Sequence, residues 1–118
     1  MVTLQNITFG SGALVFIAGP CVVENRDMIF FTAERIKNIA DKYALPFIFK
    51  SSYKKANRTS GKSFTGIGIE TALSILADVK KQFSIPILTD VHSEKEIQYA
   101  AEVADVLQIP AFLCRQTE

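Results

Sequence analysis

Four short apolar runs in this chain are each followed by a residue able to bind an anion, move a proton or ligate a metal. Cys21 follows the first, Lys50 the second, Asp90 and His92 the third, and Gln108 and Arg115 flank the end of the fourth. The second run, Pro46 to Phe49, leads directly into the polar basic stretch FKSSYKKANRTS. Between Lys42 and Ile69 stand Lys42, Lys50, Lys54, Lys55, Arg58 and Lys62, with no acidic residue, whereas the whole chain carries only +1. A field focused in this way concentrates small anions such as phosphates and carboxylates. Ser51, Ser52, Asn57, Thr59 and Ser60 add hydroxyl and amide groups that direct individual oxygens. Charge alone also fits a solvated basic loop or a nonspecific nucleic-acid patch.

These residues need elements to hold them. Residues 2 to 10 suggest an edge strand or a hairpin with the Gly10-Ser11-Gly12 turn. Ala13 to Ala18 reads as a strand. Asp27 to Tyr43 reads as a helix with Ile29, Ala33, Ile36, Ala40 and Tyr43 on one face. Pro46 to Phe49 is the next strand, and Ile69 to Phe83 a helix with Ile69, Leu73, Leu76 and Phe83 at helical spacing. Pro86 to Thr89 is a strand. Ser93 with Glu96 forms a capping box for a helix with Ile97, Ala100 and Ala101 inward, and Asp105 to Ile109 is the last strand. Phe30, Phe31 and Ile36 read as core. Strand and helix in alternation predict parallel βαβ units, and hence an α/β fold of about four parallel strands.

At 118 residues, with 48% hydrophobic and 21% charged residues, the chain fits one small soluble domain. No apolar run approaches the roughly 18 residues of a membrane span, and no basic-started signal peptide is visible. Two cysteines do not make a disulfide framework, so a reducing cytoplasm is the expected compartment.

The stretch FKSSYKKANRTS, together with IAGPCVVEN, ILTDVH and ADVLQIPAFLCRQT in that order, resembles the 3-deoxy-D-manno-octulosonate 8-phosphate (Kdo 8-phosphate) synthase family, also called 2-dehydro-3-deoxyphosphooctonate aldolase. Thr59 stands where that pattern has Ser, and FTGIGIE where it has FRGPGLEE, with Thr65 in place of an Arg. The resemblance implies a (β/α)₈ TIM barrel, which typically takes about 250 residues and builds its active site at the C-terminal strand ends. Residues 1–118 are therefore expected to be the N-terminal half of such a barrel, a partial domain of four βα units.

The resemblance also implies a reaction. Phosphoenolpyruvate, arabinose 5-phosphate and water give Kdo 8-phosphate and phosphate, a precursor step for lipopolysaccharide. It places Lys50, Lys55, Ser52, Gln108 and Arg115 around the phosphoenolpyruvate anions, where paired cations make charge-assisted hydrogen bonds. Asn57, Arg58 and Thr59 fall on the segment that contacts arabinose 5-phosphate, near a neighbouring subunit of a homo-oligomer, a tetramer in the family. Asp90 resembles a residue near the metal or its replacement water, and His92, the only histidine, is expected to position a water or substrate hydroxyl. A structural hydrogen-bonding role for His92 is the alternative.

Cys21 by itself suggests a small buried residue. By resemblance it belongs to the metal-dependent class and ligates a divalent cation (zinc, iron or manganese) with a His, a Glu and an Asp beyond this chain. No organic cofactor, nucleic acid or membrane partner is expected. Cys114 reads as a loop thiol, and Glu24 as an electrostatic group at a helix start. Two other readings stay open. One is 3-deoxy-D-arabino-heptulosonate 7-phosphate synthase, which shares the GPC segment and phosphoenolpyruvate but takes erythrose 4-phosphate. The other is a catalytically inactive half barrel with open sheet edges.

Overall fold

The computed structural model describes residues 2–54 and 68–111. Its elements run β1 (Val2–Leu4), β2 (Ile7–Phe9), β3 (Phe16–Ala18), α1 (Arg26–Lys42), β4 (Phe47–Lys50), α2 (Ile69–Phe83), β5 (Ile87–Asp90), α3 (Glu94–Val103) and β6 (Val106–Gln108). Strands β3-β4-β5-β6 form one parallel sheet in chain order, and β1-β2 is a separate antiparallel hairpin. A parallel neighbour demands a crossover, and α1, α2 and α3 supply one between each successive pair. The α/β alternation expected from the sequence is what forms, with four consecutive parallel strands joined by three helices, as in part of a (β/α)₈ barrel.

The two faces of the sheet have different partners. Phe47, Phe49, Ile87 and Leu107 turn toward the helices, in the core with Ile29, Ala33, Leu76 and Val79. Ile48, Leu88 and Val106 turn the other way and pack under the hairpin with Ile7, Leu4 and Phe9. Because successive strand residues alternate faces, Lys50, Asp90 and Gln108 stand on the hairpin side, one step beyond those apolar residues. The hairpin covers the N-terminal end of this face and leaves the C-terminal end to polar groups. The hairpin turns at Gln5 and Asn6, so the Gly10-Ser11-Gly12 turn follows the hairpin and does not close it.

Connections repeat. Ala44 and Ser84 adopt left-handed backbone, each two residues before a proline, Pro46 or Pro86, that leads into a strand. The positive φ ends the helix, and the proline prevents its resumption.

Several side chains depart from the expected faces. Tyr43, Phe31 and Ile97 are exposed large apolar residues, and Ala101 is exposed also, whereas Ala100 is fully buried. Tyr43 is the C-cap of α1 and lies past the face defined by Ile29, Ala33 and Ala40. Phe30 packs on the core, but its neighbour Phe31 is rotated out by one helical step. The helix α1 is capped by Asn25, whose side chain accepts from the Met28 N–H at 2.8 Å, with Asp27 in the first turn. Glu24 precedes the cap and is exposed, so Asn25 and Asp27 hold the role expected of it.

Candidate active site

Strand β4 runs on past Lys50 into Ser51, Ser52 and Tyr53, and alternation continues through them. Ser51 and Tyr53 are fully buried. The Ser51 hydroxyl donates to the Pro20 carbonyl at 2.9 Å, and the buried Thr89 hydroxyl donates to the Ser51 carbonyl at 2.8 Å. Ser52 turns to the other side, where its hydroxyl donates to Asp90 Oδ1. Asp90 ends β5, and the register pairs it with Gln108 of β6. Lys50, Ser52, Asp90 and Gln108 are thereby brought to one end of one face.

His92 completes the cluster. Its side chain is 5% exposed, and its Nε2 lies 3.1 Å from Asp90 Oδ2. The ring orientation does not make this a directed hydrogen bond, and neither ring nitrogen has a hydrogen-bond partner among the described residues. The contact is an ion pair when the imidazole is protonated. Burial pushes the Asp90 carboxyl up, but His92 and the Ser52 hydroxyl outweigh it, and the group titrates below its ordinary value. Asp90 is thus an anion held between a hydroxyl donor and an imidazole.

Lys50 is half-buried and, among the described residues, meets no carboxylate. Lys54 differs. Its Nζ pairs with Glu96 Oε2 at 2.7 Å, while Glu96 Oε1 accepts from the Tyr53 hydroxyl, also at 2.7 Å. Burial raises the Glu96 carboxyl, but the Lys54 and Tyr53 contacts more than offset it, and its net shift is downward. This replaces the expected capping box. Ser93 is the N-cap of α3, without a side-chain cap bond, and the Glu96 side chain turns toward Tyr53 and Lys54 rather than back to the cap.

The Gly19-Pro20-Cys21 segment closes the other flank. Four residue steps separate Ala18 from Val22, against three between their respective partners Phe49 and Ser52. The extra residue is absorbed where Gly19 crosses the Lys50 carbonyl: a Cβ at Gly19 would lie 1.8 Å from that oxygen. Ser52 N–H donates to the Cys21 carbonyl at 3.2 Å, and the Cys21 side chain is a free, exposed thiol rather than a buried one. For a metal it offers one soft donor. No group of three His, Cys, Asp or Glu side chains able to hold a metal occurs among the described residues, so these residues do not make a metal centre by themselves.

Of the residues singled out from the sequence, Lys50, Ser52, Asp90, His92 and Gln108 converge as described. Lys55, Asn57, Arg58, Thr59, Arg115 and the Cys114 thiol lie outside the described residues. Tyr53, Glu96 and Gly19 were missed. The capping spacing drew attention to Glu96 for a different reason, and nothing local in the sequence pairs it with Tyr53.

The match to known proteins now has a structural setting. The model of the family described as "DAHP synthetase I family" matches residues 1–118. The chain belongs to that family. Among curated proteins, the chain is 63% identical over 102 residues to one of Azoarcus sp. (strain BH72), covering 86% of this chain and 37% of that one. It is 54% identical over 118 residues to a protein of Bartonella bacilliformis, covering 99% of this chain and 42% of that one. Both relatives are named 2-dehydro-3-deoxyphosphooctonate aldolase, as is one from Aromatoleum aromaticum at 62%. The chain thus spans about two fifths of the length of these relatives and corresponds to their N-terminal part.

The depressed Asp90 and Glu96 carboxyls have a consequence for stability. A carboxyl with a lower pKa in the folded than in the unfolded state stabilises the fold above its unfolded value, and that stabilisation is lost as pH falls through the folded value. The ordinary values here are 3.8 and 4.5. The urea midpoint is expected to hold at neutral pH and to fall progressively once pH drops below 4.5. Glu96→Gln is expected to flatten the upper part of that decline; an unchanged slope would show that Glu96 is not depressed.

Proposed function

We propose that the protein carrying this chain condenses phosphoenolpyruvate with arabinose 5-phosphate and water, giving Kdo 8-phosphate and inorganic phosphate. The observation that carries this reading is the half-buried Lys50 at a strand end, without a carboxylate partner among the described residues, beside the Ser52–Asp90–His92 cluster, in a chain 54–63% identical to proteins named for that product. In a site of this form Lys50 neutralises a carboxylate or phosphate of phosphoenolpyruvate, and Lys55, Gln108 and Arg115 add to the same anion cradle. Asn57, Arg58 and Thr59 hold the sugar phosphate. C3 of phosphoenolpyruvate attacks the sugar aldehyde while water adds at C2, and the tetrahedral intermediate expels phosphate by C–O cleavage. Asp90 and His92 orient the water or a substrate hydroxyl, and much of the rate gain comes from holding the reactants in register.

The proposal extends to a divalent cation with Cys21 as one donor and the other donors outside the described residues. It extends also to a homo-oligomer in the cytoplasm that supplies lipopolysaccharide synthesis; no described helix is long and apolar enough to cross a membrane.

The family description favours a second reading, synthesis of 3-deoxy-D-arabino-heptulosonate 7-phosphate from erythrose 4-phosphate. One experiment separates them. Phosphate release from phosphoenolpyruvate is measured with each sugar, with and without a chelator, for this chain alone and for an extended protein. The extended protein is this chain continued by the C-terminal part of the Azoarcus relative. The expected result is release by the extended protein with arabinose 5-phosphate, abolished by chelator, and none by the chain alone. Preference for erythrose 4-phosphate would establish the second reading, and chelator-insensitive turnover would remove the role of Cys21.

A further inference from the structure

The His92 ring is not held in place by its own nitrogens. It is almost fully buried, has no directed hydrogen bond from either nitrogen among the described residues, and touches Asp90 at one edge only. A side chain so placed takes its orientation from its backbone and from the walls around it.

Both come from Tyr53. The Tyr53 hydroxyl accepts from the His92 backbone N–H at 3.1 Å, and the two rings meet edge to face with centroids 5.1 Å apart. The same hydroxyl spends its own proton on Glu96 Oε1. Burial, followed by the hydrogen bond to Glu96, raises the phenol far above its ordinary range, so it remains a neutral donor at any working pH. Glu96 is in turn fixed by Lys54. The chain of contacts runs Lys54–Glu96–Tyr53–His92–Asp90, joining the end of β4, the first turn of α3 and the end of β5.

We propose that Tyr53 and Glu96 are positioning residues for the reaction, acting on it only through His92. The inference rests on the proposed function above. Neither side chain needs to meet substrate. Tyr53 is wholly buried on the helix side of the sheet, opposite the face that carries Lys50 and Ser52. Loss of the Tyr53 hydroxyl frees the His92 N–H, the one backbone group of this turn that the phenol holds. The imidazole then no longer sits reproducibly against Asp90, and a displacement of this kind degrades catalysis more than binding.

The test uses the extended protein and arabinose 5-phosphate. Tyr53→Phe is expected to lower kcat about tenfold while leaving KM for both substrates within about twofold. Glu96→Ala is expected to do the same, and Glu96→Gln, which still accepts from the phenol, to recover most of the rate. In a His92→Asn background, Tyr53→Phe is expected to have no further effect on kcat, because its route to the reaction is already cut. A purely structural role would lower thermal stability, give additive losses with His92→Asn and show no rescue by glutamine; that pattern overturns the proposal, as does an unchanged kcat in Tyr53→Phe. If Tyr53→Phe is not recovered folded, the Glu96→Ala and Glu96→Gln pair decides on the same criteria. Absence of turnover in the unsubstituted extended protein would overturn the proposed function and this inference with it. Normal turnover there with an unaffected Tyr53→Phe removes this inference alone.

Discussion

Gly19→Ala is expected to destabilise the fold by about 3 kcal/mol, the upper end of the range for forcing atoms into packed space. The added Cβ would stand 1.8 Å from the Lys50 carbonyl oxygen, 2.8 Å from its carbon and 3.1 Å from its nitrogen. All three are backbone atoms of a strand bonded on both sides, so no rotamer change relieves the clash. Either β3 separates from β4, or the end of β4 moves, and with it Lys50. Activity of the extended protein is therefore expected to fall together with stability. The check is a urea unfolding curve in which the midpoint drops with little change in slope. A loss below about 1 kcal/mol would show that the Gly19–Lys50 crossing is looser than described.

Asp90 carries the second large effect. Asp90→Ala removes the acceptor of the Ser52 hydroxyl and the carboxylate in contact with the His92 ring. Leaving a buried donor unsatisfied costs about 1–3 kcal/mol, and about 2 kcal/mol is expected here. In the proposed reaction Asp90 and His92 orient a water or substrate hydroxyl, and general acid–base assistance of that kind contributes about 10²–10⁴-fold, so kcat is expected to fall at least about 100-fold. Asp90→Asn separates the two effects. Its amide oxygen still accepts from Ser52, but the negative charge facing His92 is gone. Stability is expected to return close to the parent while kcat stays low. Recovery of both in Asp90→Asn would mean that the charge is not used and that Asp90 only ties β5 to β4.

The two substitutions test different kinds of information. Asp90 stood out in the sequence because a carboxylate and a histidine after an apolar run mark a strand end. Gly19 did not, since the need for glycine comes from a carbonyl 31 residues away, by the register that pairs Ala18 with Phe49.

What the sequence by itself determined is local and periodic. The helix from Ile69 to Phe83 was bounded correctly, because its apolar spacing and the following Pro86 act over a few residues. Lys50 at a strand end, and polar groups after successive strands, followed from alternation in the same way. Tertiary structure decided every contact that depends on register or on which neighbour a helix meets. Ser52 meets Asp90 across 38 residues, and Tyr53 meets Glu96 across 43. Periodicity finds a helix face but not its limits, so Tyr43, Phe31 and Ile97 read as inward and are exposed. Glu96 shows the rule most plainly. Its spacing from Ser93 favours a cap bond worth about 1 kcal/mol, whereas the buried phenol offers a hydrogen bond to a charged group worth about 1.5–3 kcal/mol and the Lys54 ammonium adds a second, solvent-screened contact. The longer-range partners win, because only the assembled sheet brings them within 2.7 Å.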